Sequence, residues 1–112
     1  MRSHVTTHVL DAAKGVPASG VEVTLEQQAG GAWQVIGTGT TDGDGRINAL
    51  GPEHVAAGRY RVSFDTGAYF AAQRTSTFYP EVSVVVEIAD TAAHYHVPLL
   101  LSPFAYSTYR GS

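Results

Sequence analysis

The sequence predicts an all-β chain: a two-sheet antiparallel sandwich of seven or eight short strands with one short helix. Three observations predict it. Apolar residues recur with period two in most segments, Gly, Pro and Asp clusters bound those segments, and a single stretch breaks the alternation. A chain of 112 residues fits one domain, 1–112. Burial of roughly 65% of its unfolded surface makes a lone core feasible but not generous.

The elements follow in order. His4 to Leu10 alternates Val5, Thr7 and Val9 against His4, Thr6 and His8, a strand with one face inward. Val21, Val23 and Leu25 alternate with Glu22, Thr24 and Glu26, and Tyr60, Val62 and Phe64 with Arg61, Ser63 and Asp65. Gly30-Gly31, Asp42-Gly43-Asp44-Gly45, Gly51-Pro52 and Asp90-Thr91 supply turn chemistry between such runs. Thr66 to Arg74 has two adjacent alanines and no alternation, which predicts a short helix with Thr66 at its N-cap. Val82, Val84, Val86 and Ile88 restore the strand period. His94 to Leu101 buries Tyr95, Val97, Leu99 and Leu101, but Pro98 cannot donate to a ladder, so this strand has a bulge or an unpaired side there. The last stretch alternates through Tyr106 and Tyr109 and reads as a strand running to Ser112.

Composition narrows the function. Only 15% of residues are charged, against about 25% in an average soluble domain, so part of a small surface is expected to face another subunit. A net charge of −3 and the absence of a basic run exclude a nucleic-acid partner. Without cysteine there is no disulfide frame, thiol nucleophile or thiolate metal site. No apolar run reaches the roughly 18 to 20 residues of a membrane span, and no secretory leader is visible, so the expected location is the cytoplasm.

Four of the five histidines lie in the two end strands, His4 and His8 in one, His94 and His96 in the other. Neighbouring strands would make the imidazoles converge. Such a cluster could serve as surface or interface hydrogen-bonding groups, as a zinc site built on His94 and His96, or as metal-free acid–base machinery, since imidazole titrates near neutral pH. Asp42-Gly43-Asp44-Gly45-Arg46 resembles the start of a calcium loop, but a cation stands at the fifth position, where calcium needs oxygen; it reads as a glycine-rich hairpin turn. Arg46 then emerges from that turn as a guanidinium able to engage a planar polar ligand with two parallel hydrogen bonds. An ordered terminus would hold its carboxylate in place, with Arg110 or a neighbouring guanidinium as its counter-ion.

Thr6-Thr7-His8-Val9-Leu10-Asp11, Thr41 to Arg46, His94-Tyr95-His96-Val97-Pro98-Leu99-Leu100-Leu101 and the terminal Tyr109-Arg110-Gly111-Ser112 resemble the transthyretin-related 5-hydroxyisourate hydrolases. The similarity spans essentially the whole chain, and its most specific element is the terminal tetrapeptide, which the hormone-carrying transthyretins of the same fold lack. The resemblance implies a transthyretin-like sandwich assembled as a homotetramer, a dimer of dimers, with sites in the channel between dimers. It implies hydrolysis of 5-hydroxyisourate to 2-oxo-4-hydroxy-4-carboxy-5-ureidoimidazoline, a step of urate degradation towards allantoin, with no metal or organic cofactor. The family's functional residues fall on His8, Arg46, His96 and Tyr109 to Ser112.

On that reading His8 and His96 are an acid–base pair of unassigned order, and Arg46 binds the substrate carbonyl and the negative charge that develops on it. Tyr109, with Arg110 and Gly111, contacts the flat heterocycle, and Ser112 orients a histidine or the water through its hydroxyl or its carboxylate. His4 is expected outside the reaction, at the surface or behind the reacting groups, and His54 in solvent. A small-molecule carrier would keep the fold but lack the paired histidines and the tetrapeptide; a zinc hydrolase would use the same histidines as ligands.

Overall fold

The computed structural model describes residues 2–112. Nine strands and one helix follow one another: β1 Val5–Asp11, β2 Val16–Pro17, β3 Glu22–Ala29, β4 Ala32–Thr40, β5 Arg46–Ile47, β6 Gly58–Phe64, α1 Thr66–Ala72, β7 Val82–Ile88, β8 Tyr95–Ser102 and β9 Ala105–Thr108. β2 and β5, of two residues each, carry the number past the expected seven or eight. Among the described residues no helix is long and apolar enough to cross a membrane.

One sheet has the order β2-β1-β8-β9, with β5 also pairing β1; the other runs β4-β3-β6-β7. The alternation seen in the sequence decides what fills the space between them. Val5, Val9, Val97, Leu99 and Leu101 of the first sheet meet Val23, Leu25, Tyr60, Val62, Phe64 and Val82 of the second, all buried. Each such aliphatic or aromatic side chain contributes about 1.5–3 kcal/mol on leaving water. The Tyr60 hydroxyl, carried into this core, donates to the Ala56 carbonyl at 2.6 Å and accepts from Gln27 Nε2.

The sandwich is not antiparallel throughout. β1 and β8 pair in parallel, Val5 opposite Tyr95 through to Asp11 opposite Leu101. Parallel neighbours cannot be joined by a tight turn and need a long crossover. Here the crossover contains the entire second sheet.

Two local readings also change. Asp42 to Gly45 is not a hairpin: the chain leaves β4 in one sheet and enters β5 in the other, so the turn is a corner between sheets. The helix N-cap is Asp65 rather than Thr66; the Asp65 carboxylate accepts from Ala68 N, while the buried Thr66 hydroxyl donates to the Tyr79 carbonyl at 2.8 Å. The short helix is docked by Phe70 in the core and by Tyr69, whose hydroxyl donates to the buried Asp11 carboxylate at 2.7 Å.

Candidate active site

Strand parity places the candidate residues on the outer face of the five-stranded sheet. Val5, Thr7 and Val9 point into the core, Thr7 satisfying its hydroxyl on the Val97 carbonyl at 2.7 Å. Thr6 and His8 take the opposite face. His8 is the cross-strand partner of Arg46 in the β1–β5 pair. In the β1–β8 pair Thr6 stands opposite His96 and His8 opposite Pro98. His8, Arg46 and His96, far apart in sequence, therefore occupy one patch.

The corner that carries Arg46 is held by a single carboxylate. Asp42 Oδ1 accepts from the amides of Asp44 at 2.9 Å and Arg46 at 3.0 Å, and these bonds hold the Asp42 carboxyl below its usual range, helped by the charges of Arg46 and His8. Gly45, with φ +74°, brings its carbonyl to the Val9 amide at 2.7 Å and leaves no room for a Cβ beside the Val9 carbonyl. The Asp42 carboxylate that suggested a calcium loop thus caps the turn's own amides.

Burial lowers the proton affinity of His96, and Arg46, His8 and His94 lower it further in that order. His94 is lowered by burial, then by Arg2 and His4. Both imidazoles thus favour the neutral form. Their rings lie 6.5 Å apart between centroids and nearly parallel, and the Thr6 hydroxyl sits between them, 3.1 Å from His94 Nε2 and 2.8 Å from His96 Nδ1. Among the described residues no three histidine or acidic side chains converge as a metal's ligands would.

His4 does not share this face. The strand starts only at Val5, and the buried His4 ring accepts from the Val55 amide at Nδ1 (2.9 Å) and donates from Nε2 to the Ala93 carbonyl (2.7 Å). It ties three segments together, and no ring nitrogen is left over. His54, exposed, lies edge-on to it.

The terminal segment departs from the expected continuous strand. β9 ends at Thr108, and pairing resumes only where the Gly111 amide donates to the His96 carbonyl at 2.9 Å. Leu99 opposite Thr108 and His96 opposite Gly111 keep one register, so the gap falls where Pro98 has no N–H to give. Thr108 Oγ1 donates to the Pro98 carbonyl instead, at 2.7 Å. Gly111 lies against the His96 ring. Arg110 does not meet a carboxylate; its guanidinium lies 4.5 Å over the Tyr95 ring, and among the described residues the ion pair is Arg61 with Glu26. Tyr109 and Arg110 line a cavity of about 350 Å³ at the sheet edge, with Tyr95, His96, Val84 and Val86. Ser112 follows, exposed.

From sequence, Thr6 had no role in the chemistry, and His94 had one only as a zinc ligand. The signal was there in the shared parity of Thr6 and His8, but a threonine in a strand is ordinarily a β-former, and parity alone does not show two rings on one hydroxyl.

These features define a class: a small β-sandwich protein that carries its candidate site on a sheet face rather than between layers. The chain belongs to the HIUase/Transthyretin family, whose model matches residues 5–111. It is 55% identical to a 5-hydroxyisourate hydrolase of Salmonella dublin over 109 residues, 96% of this chain and 80% of that one. Among solved structures it resembles Klebsiella pneumoniae 5-hydroxyisourate hydrolase (TM-score 0.86, 34% identity, 96% and 98% of the two chains). It equally resembles sea bream transthyretin in complex with thyroxine (TM-score 0.91, 40% identity, 96% and 93%). Backbone shape alone does not separate the hydrolase from the thyroxine-bound transthyretin.

Proposed function

We propose that this chain hydrolyses 5-hydroxyisourate, opening a cyclic amide C–N bond in urate degradation, and that it does so without a metal or organic cofactor. One observation carries the reading: His8 faces Arg46 across one ladder and Pro98 across the other, while His96, two residues before Pro98 on that strand, is packed by Gly111 of the Tyr-Arg-Gly-Ser segment. A carrier has no use for paired imidazoles beside a guanidinium. The homologous hydrolase named above supports the same substrate.

The chemistry follows from the groups. One imidazole takes a proton from water as its oxygen adds to the substrate carbonyl carbon; Arg46 stabilises the oxyanion with paired N–H donors. Collapse breaks the C–N bond, and the departing nitrogen receives the proton that the imidazole had taken. Tyr109 is assigned to the face of the heterocycle, Arg110 and Gly111 to shaping the wall beside His96, and Ser112 to orienting a histidine or the water.

A homotetramer completes the site. In one protomer the patch is an open sheet face, with Arg46 exposed and His8, Leu10, His96 and Leu100 only half-buried, whereas small-molecule sites are concave. Apart from Arg46 this face is nearly free of fixed charge. A second dimer laid against it would turn the face into a channel.

The test is an ultraviolet assay in which urate oxidase generates 5-hydroxyisourate and its decay is followed with and without the protein. Acceleration over the spontaneous decay is expected, and its absence overturns the function. Stoichiometric zinc in the purified protein, with activity lost on chelation, would overturn the metal-free mechanism.

A further inference from the structure

The Thr6 hydroxyl lies between two imidazole nitrogens with one proton to offer. It can donate to only one of them, so the other ring must donate to it. Two arrangements are possible, and they leave opposite chemistry at the far nitrogen of His96. If Thr6 donates to His96 Nδ1, the His96 proton is on Nε2, facing outward as a donor. If His96 donates from Nδ1, its Nε2 is a bare base.

The bond lengths favour one of them. Hydroxyl donors make bonds of about 2.7–2.8 Å to oxygen, whereas N–H donors make bonds of about 2.9–3.0 Å. Thr6 to His96 Nδ1 is 2.8 Å and Thr6 to His94 Nε2 is 3.1 Å. That order matches a hydroxyl donor on the shorter bond and the His94 ring N–H on the longer. Thr6 is 2% exposed, so water does not compete for its oxygen.

We propose that Thr6, backed by His94, is a positioning residue: the chain His94 Nε2–H to Thr6 Oγ1–H to His96 Nδ1 locks His96 in the Nε2–H tautomer. The inference rests on His8 and His96 acting on the substrate, and it assigns the order left open above. His96, neutral and bearing its proton outward, donates a hydrogen bond to the carbonyl oxygen together with Arg46, as a neutral imidazole polarises a carbonyl elsewhere. His8 is then the base. It accepts the water proton as the C–O bond forms and returns it to the nitrogen as the C–N bond breaks, and the second water hydrogen leaves with the new carboxyl group. The groups around His96, namely Arg46, His8 and His94, all oppose a positive charge on it, which suits a donor that never becomes imidazolium.

The test uses nitrogen-15 labelled protein at pH 8, where two-bond ring correlations in the NMR spectrum report which imidazole nitrogen bears the proton. The wild-type protein should show His96 protonated at Nε2 and bare at Nδ1, with His94 protonated at Nε2. Thr6→Val keeps the shape and removes the hydroxyl; His96 should lose its single tautomer and kcat should fall by about 10²-fold with KM little changed. Thr6→Ser should retain both. His96 protonated at Nδ1 in the wild type overturns the proposal, as does an unchanged tautomer or an unchanged kcat in Thr6→Val. Should Thr6→Val not fold, the wild-type tautomer decides alone. Full turnover by His96→Ala would instead overturn the functional reading, a failure distinct from the tautomer result.

Discussion

Gly111 stands against the imidazole of His96 so closely that an added Cβ would lie 2.6 Å from His96 Cδ2 and 3.1 Å from Pro98 Cγ. Neither neighbour can give way cheaply. The His96 ring is held by Thr6, and Pro98 is buried in the strand. Glycine at this position is therefore a statement about where a ring sits, not about backbone freedom. Gly111→Ala should displace His96 and lower kcat by about 10²-fold, the usual cost of an ångström-scale misplacement. Gly111 is in a terminal segment, so the melting temperature should change little. Wild-type turnover in this variant would show that the ring position is not needed.

His8→Ala and His96→Ala should each lower kcat by about 10²- to 10⁴-fold, the range for groups that move or donate protons in the transition state. Arg46→Lys should recover little of what Arg46→Ala loses, because an ammonium cannot present two parallel donors from a fixed fork. Steady-state rates on freshly generated substrate check all four. Near-wild-type rates in both histidine variants would remove the assignment.

Stability should depend on pH through the same residues. His94 and His96 bind protons less readily in the folded chain than at the ordinary imidazole value of 6.5, to which unfolding returns them. Around and below pH 6.5 the unfolded state binds more protons, so stability is full above that value and falls as pH drops through it. Urea midpoints at pH 8 and pH 5.5 should differ in that sense, and His96→Gln should narrow the gap. An equal gap in the variant would mean that His96 does not contribute.

Activity should follow assembly. If a second dimer closes the open sheet face, conditions that dissociate the tetramer should abolish turnover while the sandwich stays folded, as sedimentation and circular dichroism on the same samples would reveal. A fully active monomer would refute the link between the two.

Much of this was legible in the alternation. Val5 and Val9 against Thr6 and His8, and Tyr95, Val97 and Leu99 against His96, assign each strand's inner and outer face from parity alone. Pro98 announced a gap in pairing, and the gap lies opposite it. What parity does not encode is direction and neighbour choice. Nothing local distinguishes a parallel from an antiparallel partner for Val5–Asp11, or a hairpin from a corner at Asp42 to Gly45, because both depend on where the second sheet takes the chain. The helix cap moved by one residue because Thr66 has a better partner in Tyr79, a contact thirteen residues away. His4 leaves the face that parity gave it for the same reason: its two ring bonds go to Val55 and Ala93, which only the closed fold brings near.

The parallel pairing of β1 with β8 also governs when the site comes into being. Thr6 and His96 are 90 residues apart, and every contact that joins them closes a loop containing the whole second sheet. Local contacts cannot nucleate such a pairing, so folding should be slow for a chain of this size. On the ribosome, at about 5–20 residues per second, β1 waits on the order of ten seconds for its partner, its apolar face open to chaperones or to a wrong strand. Before that moment there is a histidine beside an arginine and nothing more. The reactive patch is thus a late product of biosynthesis, and a half-folded intermediate, however compact, cannot turn over substrate.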